Sequence, residues 1–147
     1  MDVFGFAKNL HEQTGIYRQI LELSKSQTAA IAQGNEAELL RILAEKQTRI
    51  GLIDELSAAC MPLRNEWETV RSTVSTSEHD MVDSAFQELR MVLGEIVEIE
   101  NLSRAQLESE KEKNTARMNQ IQQGKVAHKA YGFKTPPPQS TRRNVDG

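Results

Sequence analysis

The chain has 147 residues, 38% of them hydrophobic but only 5% aromatic, and a formal net charge of −3. The length suits one domain or a few long helices sharing a seam, and the scarcity of large rings argues against a deep enzyme-like core. The charge gives no overall footprint for nucleic acid, and Cys60, the single cysteine, rules out an internal disulfide.

The opening stretch MDVFGFAKNLHEQ has an early acid and no sustained apolar run, so no secretory signal is expected. Nothing approaches the roughly 20 apolar residues that span a bilayer, and a cytoplasmic protein is the expectation. Charge is unevenly placed. From Gly124 onward Lys125, Lys129, Lys134, Arg142 and Arg143 stand against Asp146 alone, a net of +4, which leaves −7 on the preceding part.

A first helix is expected over about 3–33. Leu10, Tyr17, Ile20, Leu21 and Ile31 fall on one side, with Thr14, Ser24 and Thr28 filling the stripe. Gly34 supplies the stop, since glycine takes the left-handed conformation at a helix end without steric cost. Asn35 then caps a second helix, with Glu38 three residues on. So short a corner sets the two helices antiparallel.

The second helix is expected over 36–59. Leu39, Leu43, Ile50, Ile53 and Leu56 form its apolar face, Leu40 and Leu52 widen it, and Lys46 and Arg49 are among the charges on the other sides. Pro62 is expected to break it, because proline lacks the donor and clashes with the preceding turn. MPLRNEWETVRSTVSTSE then reads as a connector with a helical turn near Trp67.

A third helix, capped by Ser75 or Ser77, meets no strong breaker before Gly124 and is expected over 76–123. Val82, Phe86, Leu89, Leu93 and Ile96 keep a bundle spacing. Beyond Glu100 the apolar positions thin to Leu102, Leu107, Met118 and Ile121 among charges. Such a stretch is helical by propensity but poorly anchored by burial. The fold class is all-α: an antiparallel bundle of three main helices with a very long third helix over 1–124, then a disordered, basic, proline-containing tail over 125–147.

Signals for catalysis, cofactors and metals are missing. No P-loop or GxGxxG occurs, and His11, His79 and His128 lie apart in segments without metal spacing. They read as surface histidines. Glu95, Glu98 and Glu100 read as a solvated face, since no ExxH accompanies them. Cys60, beside Met61, reads as a small core residue. Two features remain: the sparse end NLSRAQLESEKEKNTARMNQIQQ, which is either an exposed helix end or a partner-binding helix, and the tail AYGFKTPPPQSTRR.

AELLRILAEKQTRIGLIDEL (Ala37 to Leu56), EIVEIENLSRAQLESEKEK and the later Tyr131-Gly132 pair together resemble the FlgN family of flagellar type III export chaperones, over roughly Leu10 to Gly132. The resemblance implies a cytoplasmic, non-enzymatic helical bundle without cofactor. It implies binding of hook–filament junction (hook-associated) proteins, which prevents their premature assembly before export. In that family the end of the long helix engages the C-terminal helical segment of the substrate. Carried over, the partner-binding positions are Leu102, Ala105, Leu107, Met118 and Ile121, with Tyr131 as a further contact. Phe133-Lys134 and a proline run follow Gly132 where the family more often has another glycine. Neither nucleic acid nor membrane insertion is implied; contacts with export apparatus components and a homodimer stay open. The rival reading is a self-associating helical adaptor, in which the third helix forms a coiled coil with its own copy.

Overall fold

The computed structural model describes residues 1–130, with side chains as far as Gly124. These residues form three α-helices, α1 (Val3–Gln33), α2 (Glu36–Val70) and α3 (Thr76–Ala130). The expected disordered tail falls largely outside the described residues. The chain divides into two units, Met1–Gln106 and Leu107–Gly147.

The helix ends follow from local chemistry. The Asp2 carboxylate accepts from the Gly5 amide at 2.8 Å and caps α1. Gly34, at φ 65°, closes it in the left-handed region. The Gly34 amide donates to the Ile31 carbonyl and the Asn35 amide to the Ala30 carbonyl, the paired bonds of a Schellman turn. Asn35 also caps α2, its side-chain oxygen accepting from the Glu38 amide at 3.2 Å. Ser75 opens α3 by accepting from the Glu78 amide and donating its hydroxyl to the Glu78 carboxylate.

In the first unit α1 buries two rows. Val3, Phe6, Leu10, Gln13, Ile20, Ser24, Gln27 and Ile31 recur at three- and four-residue steps or their sums, and Ala7, Thr14 and Leu21 recur at seven. Two rows on one helix give it two packing faces. The apolar core gathers Val3, Phe6 and Leu10 with Cys60 and Trp67 of α2 and Val82, Ala85 and Leu89 of α3. The Phe6 ring lies 6.0 Å from Trp67 and 5.7 Å, edge-on, from Phe86.

Two expectations for α2 are corrected. It does not stop near 59 but runs through Pro62 to Val70. Proline removes one backbone bond, yet its own position is exposed, while Cys60, Leu63, Trp67 and Val70 all pack at the core. Their burial outweighs a local cost of about 3 kcal/mol. Trp67 is thus a core residue of the helix, not part of a connector.

The buried side of α2 is also rotated from the one expected. Most of its fully or partly buried positions, Leu39, Ile42, Lys46, Arg49, Ile53, Leu56, Cys60, Leu63, Trp67 and Val70, follow an alternation of three- and four-residue steps, with Glu38, Glu45 and Ser57 partly buried beside it. Leu40, Leu43, Ile50 and Leu52 are exposed. Lys46 and Arg49 therefore sit on the inner stripe rather than on the outer sides.

Around Lys46 the three helices meet through polar groups. The Lys46 ammonium donates to the Gln27 side-chain oxygen at 2.8 Å and to the Glu100 carboxylate. Ser24 donates to the same carboxylate at 2.7 Å. The Thr28 and Ser103 hydroxyls share a hydrogen bond of 3.1 Å. Glu95 and Glu98 are exposed as expected, but Glu100 belongs to this cluster and corrects the reading of a solvated trio. Burial raises its carboxyl pKa, but the Lys46 and Ser24 hydrogen bonds and the charges of Lys46 and Arg104 outweigh that and hold it below its ordinary value.

Gly124 does not end α3, which continues to Ala130. An interior glycine costs a helix about 1 kcal/mol relative to alanine, which weakens it without terminating it.

Candidate partner-binding face

Among the described residues no three His, Cys, Asp or Glu side chains group as a metal site, and no helix is long and apolar enough to cross a membrane. Cys60 is buried in the core. Burial pushes its thiol pKa up, against the opposing charge of Arg64, so the reactive thiolate is disfavoured.

The second unit presents a different surface. From Leu107 to Gly124 no side chain is fully buried, and Met118 and Gln122 alone are partly so. Leu107 and Ile121 are each 48% exposed. At about 100° per residue, Leu107, Met118 and Ile121 fall within roughly 60° of one another around the helix. The sequence places Lys111 and Asn114 on the same strip. Leu107, Glu110, Lys111, Asn114, Thr115 and Met118 line a shallow depression along it. Charges border this face, and Lys111 interrupts it: Lys113 pairs with Glu110 at 3.7 Å, three residues along the helix.

The six positions expected from sequence do not all share this strip. Leu102 and Ala105 belong to the first unit, where both are exposed beside the buried Ser103. Their spacing puts them roughly 140° and 160° around the helix from Leu107. Tyr131 lies outside the described residues. Lys111 and Asn114 were not among the expected positions. Three- and four-residue steps from Leu107 through Lys111 and Asn114 to Met118 were the signal that marks them.

A three-helix bundle whose last helix carries sparse apolar positions among charges is an architecture that protein-binding modules use. The comparison with protein families makes the class specific: residues 1–135 match the model described as FlgN protein, and the chain belongs to that family. FlgN proteins are non-enzymatic flagellar export chaperones for hook-associated proteins. No curated protein and no solved structure matches the chain.

Proposed function

We propose that this chain holds a hook-associated protein in the cytoplasm through the strip formed by Leu107, Met118 and Ile121, which receives the C-terminal helical segment of that substrate. The observation that carries this reading is the exposure of Leu107 and Ile121 at 48% each on one side of a helix. Covering the exposed parts of two such side chains is worth about 1 kcal/mol apiece, and a helix already formed loses little order on binding. An amphipathic substrate segment held there cannot pair with its own kind, so assembly waits until export. Leu102 and Ala105, on another side of α3, act as a secondary contact in this scheme, and Tyr131 as a third. Contacts with export apparatus components, and the lack of nucleic-acid and membrane contacts, belong to the same proposal.

Co-expression with each hook-associated protein and co-purification test it. Leu107→Asp with Ile121→Asp is expected to abolish retention, and Leu102→Asp to weaken it far less. Unchanged retention in the double variant removes the strip from the site. Light scattering decides the rival reading. The chaperone is expected to be a monomer that becomes a one-to-one complex. A concentration-independent dimer lost on changing Leu107 and Met118 to Asp indicates a self-associating coiled coil instead.

A further inference from the structure

At the aromatic end of the first unit, Arg64, Trp67, Glu68 and Arg71 of α2 and Asp83, Phe86 and Arg90 of α3 line a notch of about 300 Å³. The Arg64 and Arg90 guanidinium carbons lie 5.7 and 5.8 Å from the centre of the Phe86 ring. Both distances are within the range at which a ring quadrupole attracts a cation. The ring is itself fixed, edge-on to Phe6, which contacts Trp67 in turn.

The charges around the notch are not equally satisfied. Arg71 pairs with Glu68 at 3.7 Å, and Asp83 takes His79 at 3.0 Å. Neither Arg64 nor Arg90 has a carboxylate within 4.0 Å among the described residues. Two forked donors from two helices thus lie against one aromatic ring without a carboxylate partner among the described residues, on a part of the chain where acidic residues outnumber basic ones. The geometry points to a second binding site, a receptor for carboxylate side chains of an acidic protein segment, in the Arg64–Phe86–Arg90 notch.

The chemistry selects carboxylate over phosphate. A guanidinium fork matches either anion, but the Asp83 and Glu68 carboxylates border the notch and repel a doubly charged group more strongly than a singly charged one. No helix N-terminus or glycine-rich loop is among the lining residues to add the backbone donors on which phosphate sites rely. The cation–π attraction of Phe86 also biases the two side chains toward the ring, so a partner loses less side-chain entropy on engaging them. Arginine beside aromatic rings is the composition of residues that dominate protein interfaces. The site is separate from the Leu107–Ile121 strip and does not depend on it.

Trp67 is the single tryptophan and lines the notch, so its fluorescence, compared between wild type and the Arg64 and Arg90 variants, reads binding there. That matters because the basic residues from Lys125 to Arg143 also attract anions. The full chain is titrated, at matched low ionic strength, with a glutamate dodecapeptide, a glutamine dodecapeptide and inorganic phosphate. The expected result is a saturable Trp67 response to the glutamate peptide alone. Arg64→Gln with Arg90→Gln is expected to weaken it at least tenfold at an unchanged melting temperature, and the paired lysine variants to give an intermediate affinity. If the double variant melts lower, the single Arg90→Gln variant decides, with a weakening of severalfold expected. No Trp67 response, an equal response to phosphate, or unchanged affinity in the glutamine variants overturns the assignment.

Discussion

A lysine whose side chain is only 12% exposed stands where the inner stripe of α2 calls for an apolar residue, and its cost is met only because α1 and α3 both supply oxygen acceptors. Such a cluster contributes little against a well-packed apolar substitute but penalises the loss of one member, since the other is left buried and unpaired. Glu100→Ala is therefore expected to lower unfolding free energy by about 1–3 kcal/mol. Lys46→Met with Glu100→Met is expected to recover most of that, as urea unfolding at neutral pH would show. The pH dependence has a definite sign. A carboxyl held below its ordinary value contributes stability that is present above its unfolded pKa and lost as pH falls through the folded one. The wild-type acid limb should begin near pH 4, and Glu100→Gln should flatten it; equal slopes in the two proteins would remove Glu100 as its source. None of this was legible from sequence, because Glu100 two positions from Glu98 looks like one more solvated acid until three helices bring Lys46 and Ser24 to it.

At the scale of elements, α1 and the Gly34–Asn35 corner could be read from the chain because their signals are local: a stop glycine, a cap and a periodic stripe. The end of α2 could not, because a local rule about proline competed with burial of residues distant in sequence. Leu43 and Ile50 drew the expected apolar face to one side, while the true stripe includes Lys46 and Arg49 and only then returns to Ile53 and Leu56. If tertiary burial carries α2 across Pro62, restoring the missing amide should stabilise the protein. Pro62→Ala is expected to raise unfolding free energy by about 1–2 kcal/mol, the gain in helix propensity less the greater freedom of the unfolded chain. Trp67→Ala should cost about 3–5 kcal/mol as a large core truncation. Thermal melts of the two variants check both; a neutral Trp67→Ala would mean that the segment after Pro62 is not anchored as described.

Over the whole molecule, the packed core and the proposed partner-binding strip occupy different lengths of chain. The last fully buried side chain with a described environment is Ser103, and the first unit closes at Gln106. Beyond it, charged residues keep the helix solvated and the apolar ones are too sparse to form a core with one another. The proposed partner-binding strip was therefore partly visible in the sequence: thinning of apolar positions after Glu100 pointed to it, but only spacing around a formed helix separates Leu107, Met118 and Ile121 from Leu102 and Ala105. This division makes a truncation informative. Residues 1–106 contain the apolar core, the Lys46–Glu100 cluster and the arginine notch, so they are expected to unfold cooperatively at a midpoint within a few degrees of the full chain. The same fragment should retain no hook-associated protein on co-purification, whereas the full chain does. A fragment that melts far lower would show that the distal helix supports the bundle, and one that still retains the substrate would move the binding surface into the first unit.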